Sequence, residues 1–253
     1  MKRFKTHMIE ARMAKKNAVW VIGGAASGKS TVAETALVKG FKFTLIDVDV
    51  PFERLLKKFN VSSEIKKVSA EDKKKREAEK KAQGIKAVSM KALADPEDMF
   101  KLKKASVGSI GAVAREITSR SQESTIAAGR NLVFVETGGQ IGKIKNMKKR
   151  LEGAGYKTFV VFVGVHPELD LNKKENFDKV FQIVQARGSD RQAAGGRGLD
   201  PKILERSLRV SEKVKKELLP LFKRNRLILD SANNKPRALI TKTKSVISKW
   251  MKK

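Results

Sequence analysis

The residues most clearly placed for chemistry form a glycine-rich run early in the chain. It reads Gly23-Gly24-Ala25-Ala26-Ser27-Gly28-Lys29-Ser30, with Thr31 next. This is the pattern G-x-x-x-x-G-K-[ST], placed directly after an apolar run and before a helical pattern, as a phosphate-binding loop requires. Its backbone N–H groups can surround phosphate oxygens, while Lys29 neutralises the β- and γ-phosphates and Ser30 offers a hydroxyl to Mg²⁺. The segment predicts a nucleoside-triphosphate site, with ATP and Mg²⁺ as the expected cofactors.

Two carboxylates follow a second apolar run. Asp47 and Asp49 come at its end, and Arg54 follows a few residues later. Carboxylates at the carboxyl end of a strand beside the phosphate-binding strand lie where open α/β sheets bind ligands. One of them can accept the proton of an attacking hydroxyl, and Asp47 with Arg54 can contact the acceptor. The alternative is that one aspartate caps the next turn and the other pairs with Arg54.

Three arginines form a third candidate group. Arg187, Arg191 and Arg197 lie among four glycines in the run 185–198, just before a long helical pattern. Arginines aimed at a transferring phosphoryl group stabilise its charge in the transition state. We therefore predict a flexible lid loop here, with a solvated basic turn as the alternative.

The elements that must position these groups alternate between strands and helices. Apolar runs without a polar face, typical of strands buried on both sides, occur at Ala18–Ile22, Phe43–Val48, Asn131–Glu136, Thr158–Val165 and Arg226–Asp230. Helical patterns occur at Lys29–Lys39 and Ile141–Gly153, from Pro201 with Asp200 as N-cap until Pro220 disturbs the end, and from Pro236. This alternation predicts one α/β domain over residues 1–253, a P-loop fold with a five-stranded parallel sheet and helices on both faces.

The charge of the chain is strongly basic. Its 56 Lys and Arg against 27 Asp and Glu give a net charge of +29, with dense basic segments at Lys143–Arg150 and Lys235–Lys253. Such a field attracts polyanions, so nucleic acid is the predicted partner, and a merely solvated lysine-rich surface is the alternative. The highly charged stretch 61–104 is predicted to be a solvated helical insertion, with a lid that contacts nucleic acid as the alternative.

The composition excludes several classes of site. The chain has no cysteine, which rules out disulfides, thiolate catalysis and iron–sulfur clusters, and its two histidines rule out a multi-histidine metal site. No targeting segment and no apolar stretch of membrane-spanning length is present. The expectation is a cytoplasmic protein without a membrane partner; the sequence indicates no oligomeric state.

Further segments carry a resemblance to a known family. They read Ile46-Asp47-Val48-Asp49, Asn131-Leu132-Val133-Phe134-Val135-Glu136-Thr137-Gly138-Gly139 and Gly155-Tyr156-Lys157-Thr158. Together with the glycine-rich loop they resemble the zeta-toxin group of P-loop kinases, and more widely polynucleotide kinases and phage relatives. The resemblance implies that Lys29 binds phosphates, that Asp49 is the catalytic base, and that Arg187 and Arg197, with Arg191 as a contender, contact the nucleotide phosphates from a lid.

One departure bears on the acceptor. The family pattern has its glutamate one position earlier than Glu136, and that residue helps to hold the sugar-nucleotide acceptor of zeta toxins. Here Glu136 is assigned to Mg²⁺ through water instead. The +29 charge is also unlike that of a kinase for a small sugar nucleotide.

Three functions remain open at this point. The first is a kinase for a hydroxyl on nucleic acid, either a 5′ end or a hydroxymethylated base, as in the phage kinases that act on hydroxymethyluracil in DNA. The second is a zeta-toxin-like kinase of a small metabolite such as a nucleotide sugar. The third is a nucleic-acid-binding ATPase without kinase activity, which Asp49 and the arginine run argue against.

Overall fold

The computed structural model describes residues 16–58, 110–193 and 201–252. Within them, five strands form one parallel sheet in the order β2-β3-β1-β4-β5. The strands are β1 (Lys16–Ile22), β2 (Thr44–Ile46), β3 (Leu132–Glu136), β4 (Tyr156–Gly164) and β5 (Arg226–Asp230). The predicted α/β class with a five-stranded parallel sheet is confirmed. The predicted insertion at 61–104 lies outside the described residues.

Helices connect the strands and cover the sheet. The α-helices are α1 (Lys29–Val32), α2 (Lys39–Phe41), α3 (Asp49–Lys58), α4 (Ile110–Ala127), α5 (Ile141–Gly153), α6 (Lys174–Ala193), α7 (Pro201–Lys213) and α8 (Pro236–Lys252). Residues Ala33–Val38 are π-helical between α1 and α2, and Val214–Leu218 are π-helical after α7, followed by a 3₁₀ turn at Leu219–Phe222. No helix of the described ranges has the length and apolar character needed to cross a membrane.

The central strand β1 is buried on both faces. Trp20 and Ile22 point into a core formed with α5 and the π-helical and 3₁₀ segments after α7. Val19 and Val21 point into the opposite core, formed with α1, the π-helical segment after it and α8. Alternate side chains of a strand face opposite sides of the sheet, so a strand with helices on both faces must be apolar throughout. This apolar run is what made β1 predictable from the sequence.

A third apolar cluster lies at the carboxyl end of β4. Two long helices, α6 and α7, pack against each other there. Its buried members are Val165, Leu171, Val180, Val184, Leu204 and Leu208, and the partly buried Ala25 and Ala26 pack against them. The glycine-rich loop therefore rests on a platform made by α6 and α7.

The prediction of a loop at 185–198 is wrong for residues 185–193. These residues continue α6, which runs to Ala193. The glycine and arginine content suggested a turn, but Val180 and Val184 anchor the helix against α7, and Gly188 is itself buried. Tertiary packing overrides the low helix propensity of glycine here.

The helix predicted from Pro201 begins at that residue, where proline suits the first helical position. Asp200, the predicted N-cap, lies outside the described residues. Pro220 stands in the 3₁₀ turn that ends the helical stretch, in agreement with the predicted disturbance. The helices α3, α4 and α6 were not predicted.

Candidate functional site

The candidate site lies at the carboxyl edge of the sheet, where the glycine-rich loop joins β1 to α1. A Cβ on Gly23 would collide with the carbonyl oxygen of Val163 and lie 2.5 Å from Ser27 Oγ. Gly28 has φ +86°, a left-handed conformation that glycine adopts without strain. Both glycines are thus needed for the loop to pass close to β4 and then turn into the helix.

Lys29 closes back over the loop. Its Nζ donates a hydrogen bond of 3.1 Å to the carbonyl oxygen of Gly24. The loop also carries an internal turn, from the N–H of Ser27 to the carbonyl of Gly24, at 3.4 Å. The ammonium group is therefore held across the loop, on the residues predicted to bind phosphates, while Ser30 and Thr31 are exposed at the start of α1.

Helix α7 supports the loop from one side. The N–H of Ala25 donates to Ser207 Oγ at 3.2 Å, and that hydroxyl donates to the carbonyl of Leu204 at 2.8 Å. Ser211 Oγ donates to the carbonyl of Ser207 one turn further on, at 3.0 Å. A Cβ on Gly24 would lie 3.4 Å from Ser211 Oγ and 3.5 Å from Ser207 Oγ, which is ordinary van der Waals contact. Sequence reasoning missed both serines; the only available signal was a pair of small polar residues four apart, one on each side of Leu208.

Glu136 stands at the same edge on the neighbouring strand. It pairs in register with Ile22, and its carbonyl accepts the N–H of Gly23 at 3.3 Å. Burial raises the pKa of its carboxyl group, the nearby Lys143 lowers it, and the charge of Asp47 raises it again, with a net increase. A carboxylate that is costly to ionise beside a second carboxylate is a natural place for a cation.

The two aspartates after β2 take different positions. Asp47 Oδ1 accepts the N–H of Asp49 at 2.9 Å, so Asp47 caps the first turn of α3, as the alternative interpretation allowed for one of the pair. Because β2 pairs with β3, Asp47 also lies near the end of β3, where its charge raises the pKa of Glu136. Asp49 is the first residue of α3 and is partly buried, and Arg54 is exposed on the same helix. The catalytic role of Asp49 and the acceptor contacts of Asp47 and Arg54 stay predictions.

The predicted arginines are only partly within the described structure. Arg187 donates to Ser231 Oγ at 3.1 Å and to the carbonyl of Ser231 at 2.6 Å, so it ties α6 to the residue after β5. Arg191 belongs to α6, and Arg197 lies outside the described residues. A lid role for these three residues therefore stays a prediction, and the observed contact of Arg187 is structural.

A small pocket lies behind the loop. It is lined in part by Ser27, Ser211, Glu212 and Lys215, and its volume is about 20 Å³, which admits a water molecule but no nucleotide. Ser27 Oγ is buried there without a hydrogen-bond partner, and Glu212 forms an ion pair with Lys215. Lys215 also donates to the carbonyls of residues 167 and 169, at 3.0 and 2.8 Å. These contacts join the π-helical segment after α7 to the segment after β4 and so fix the platform under the loop.

A second polar group lies at the ends of β4 and β5. His166, Glu168 and Asp230 have potential metal-ligand atoms within 4.8 Å of one another. Asp230 Oδ1 accepts the N–H of His166 at 3.1 Å and that of Ala232 at 2.8 Å. Burial works to raise the pKa of Asp230, but these hydrogen bonds outweigh it and lower the pKa. Its carboxylate is thus engaged in fixing the two strand ends.

No family model matches the chain. No curated protein matches it either. Among solved structures, a candidate kinase from Chloroflexus aurantiacus j-10-fl aligns with 94% of this chain and 98% of its own, at 14% identity and a TM-score of 0.48. A gluconokinase from Sinorhizobium meliloti 1021 covers 94% of both chains, at 13% identity and a TM-score of 0.46.

Both of these similar structures are described as kinases, and neither is described as a zeta toxin, a polynucleotide kinase or a phage protein. The finer resemblance therefore stays a prediction. With identities of 13–14% and TM-scores below 0.5, the functional conclusion rests on the geometry of the site.

Proposed function

We propose that the protein is a P-loop kinase that transfers the γ-phosphoryl group of Mg·ATP to a hydroxyl group. The observation that carries the proposal is the set of groups that meet at the carboxyl edge of the sheet. A complete G-x-x-x-x-G-K-S loop follows the buried strand β1, and the carboxylates of Asp47 and Glu136 interact beside it. A phosphate-binding loop with acidic groups at the ends of adjacent strands is what in-line phosphoryl transfer needs.

Each group has a physical role in this proposal. Lys29 neutralises charge on the β- and γ-phosphates, and the loop N–H groups hold their oxygens. Asp49 accepts the proton of the acceptor hydroxyl. On the basis of the family resemblance, Arg187 and Arg197, with Arg191 as a contender, are proposed to contact the nucleotide phosphates, which would require Arg187 to leave its contact with Ser231.

The residues present fit a magnesium ion. Mg²⁺ prefers hard oxygen ligands and keeps several of its waters. Ser30 supplies an exposed hydroxyl at the start of α1, and Glu136 supplies a carboxylate whose raised pKa reflects incomplete compensation of its charge. When bound, the ion would neutralise charge that develops on the phosphates.

The acceptor we propose is a hydroxyl on nucleic acid, at a 5′ end or on a hydroxymethylated base, phosphorylated in the cytoplasm. Support comes from the net charge of +29, because a field of that size concentrates polyanions near the protein. A kinase of a nucleotide sugar or another small metabolite, as in the zeta-toxin group, is the competing acceptor class.

The test is transfer of label from γ-labelled ATP in the presence of Mg²⁺ to a panel of acceptors. The panel contains 5′-hydroxyl DNA and RNA, duplex DNA with hydroxymethyluracil, and nucleotide sugars, with an acceptor-free control. We expect label on a nucleic acid. Label on a nucleotide sugar would overturn the acceptor, and acceptor-independent release of inorganic phosphate alone would overturn the kinase assignment in favour of an ATPase.

A further inference from the structure

The two basic segments of the chain lie on opposite faces of the sheet. Helix α5 packs through Ile144 and Leu151 into the core that contains Trp20. Helix α8 packs through Ile247 and Trp250 into the core on the other side of β1. Their exposed sides therefore point away from each other, and the basic residues of α5 and α8 form two separate surfaces.

The surface on α5 is partly neutralised by acids. Lys148 pairs with Glu152 at 2.6 Å, and Arg150 pairs with Glu123 of α4 through both of its terminal nitrogens. Helix α8 differs, because none of its 17 residues is acidic. Its positive charge is not offset along its own length.

The exposed basic residues of α8 share one side of the helix. They are Arg237, Lys242, Lys244, Lys249 and, at the last position of the helix, Lys252. Exposed Thr241 and Ser245 lie on the same side, and their hydroxyls are donors of the kind that contact phosphate oxygens.

Helix α2 extends this surface. The side chain of Lys244 lies over Gly40, where an added Cβ would be 3.0 Å from Lys244 Cε. Lys39 and Lys42, both exposed, flank that glycine. We call the six exposed residues Lys39, Lys42, Arg237, Lys242, Lys244 and Lys249 the α8 basic face. Glu34 is the one acidic residue in the segment 29–42.

We propose that the α8 basic face binds the sugar-phosphate backbone of duplex nucleic acid. The choice of partner rests on the proposed function, whereas the binding itself requires no phosphoryl transfer. A 17-residue helix is about 25 Å long, and a duplex carries one phosphate per roughly 1.7 Å of its axis, so a duplex along α8 meets phosphates over the whole face. The exposed residues of the face include no aromatic ring on which single-stranded bases could stack, which favours a duplex over a single strand.

The face also has a suitable position relative to the candidate site. Helix α8 begins shortly after Asp230, at the carboxyl end of β5, and packs against α1 and the π-helical segment that follows it. A duplex along α8 therefore runs from the far edge of the sheet to the edge that holds the glycine-rich loop.

The test compares two matched double variants. K244Q/K249Q removes two charges from the α8 basic face, and K145Q/K149Q removes two exposed charges from α5 on the opposite face. Binding of a fluorescein-labelled 20-base-pair duplex is measured by anisotropy without ATP, at several salt concentrations. Circular dichroism and thermal unfolding check that each variant is folded.

We expect the slope of log affinity against log salt to fall by up to about 1.8 in K244Q/K249Q, since each lost phosphate contact removes about 0.9. The slope of K145Q/K149Q should equal that of the wild type, and a single-stranded probe of the same length should bind more weakly. Equal effects of the two variants, or no binding at low salt, would overturn the proposal.

The same assay separates this proposal from the kinase assignment. Lys29→Ala should bind the duplex as the wild type does, because Lys29 belongs to the glycine-rich loop and not to the α8 basic face. If the protein binds duplex but transfers no phosphate, the kinase assignment is wrong and the α8 proposal stands. If it transfers phosphate but binds no duplex, the α8 proposal is wrong and the kinase assignment stands.

Discussion

The carboxyl group of Glu136 lies in a place that disfavours its ionisation. Burial is the largest influence on its carboxyl group and raises its pKa, with the charge of Asp47 acting in the same direction and Lys143 against both. Ionisation of this group therefore costs the folded state free energy that the unfolded chain does not lose. A carboxyl group in such a position calls for a compensating cation, which is the role that the proposed magnesium site gives it.

Glu136→Gln should stabilise the protein at neutral pH. Because the folded pKa is raised, the stability linked to the neutral carboxyl is present below the unfolded value near 4.5 and is lost as pH rises through the folded pKa. The glutamine variant escapes that loss, so its melting temperature should exceed that of the wild type at pH 7 and approach it near pH 4. Thermal unfolding from pH 4 to 8 without Mg²⁺ measures this. A difference between the two proteins that does not change with pH would contradict it.

Substitutions of the two aspartates after β2 should affect different properties, the reaction rate for Asp49 and the stability of α3 for Asp47. Asp49→Asn should lower kcat by about 10²–10⁴-fold while ATP still binds, since the base is removed and the phosphate loop is untouched. Asp47→Asn should do less, because asparagine retains an oxygen that can cap α3. Asp47→Ala should cost about 0.5–2 kcal/mol of stability through loss of the cap. A larger fall in kcat for Asp47→Asn than for Asp49→Asn would reverse the assignment.

Among the elements, those buried on both faces were predictable from local pattern, and those defined by packing were not. The central strand β1 and its neighbours β3 and β4 are mostly apolar because helices cover both faces of the sheet there, whereas alternate residues of the edge strand β5 are exposed. Helix α6 carries a helical apolar spacing at residues 177, 180, 181 and 184, but glycine and arginine nearby pointed to a loop. Helix α4 gives a weak signal, with Ile117 43% exposed.

The candidate site divides in the same way. The glycine-rich loop, Asp47, Asp49 and Glu136 follow strand ends and could be located from sequence. Ser207 could not, because its role arises only from the packing of α7 against a loop 182 positions earlier. No local spacing encodes a contact of that separation.

Two glycines, one just before α5 and one inside it, offer a matched test of how closely the turn before α5 packs against its neighbours. Gly138 has φ +85°, and a Cβ there would collide with Val214 Cγ2 and lie 3.0 Å from Ile22 Cγ2. Gly138→Ala should therefore cost more than about 2 kcal/mol, through overpacking and backbone strain together. Gly142, inside α5 with open space around it, serves as the control: Gly142→Ala should gain about 0.5–1 kcal/mol. Urea unfolding measures both, and equal effects would contradict the described packing of the turn before α5 against the segment after α7.

For the whole molecule, topology and charge act on different parts of the proposed activity. The sheet order places β1 between β3 and β4, so the glycine-rich loop opens between acidic strand ends on one side and the α6–α7 platform on the other. The basic helices α5 and α8 lie on opposite faces of the sheet, away from this edge. Our proposals therefore assign nucleotide handling and polyanion binding to separate surfaces, so that variants of each can be tested independently.

The most direct test of the central claim is turnover of Mg·ATP by Lys29→Ala. Lys149→Ala, which removes an exposed lysine from α5, is the matched control. ADP formation is measured at saturating Mg·ATP with the best acceptor of the panel. We expect Lys29→Ala to be folded and to lose phosphoryl transfer, because the charge that meets the β- and γ-phosphates is gone, and Lys149→Ala to match the wild type. Comparable turnover in wild type and Lys29→Ala would contradict the assignment of this loop as the phosphoryl-transfer site.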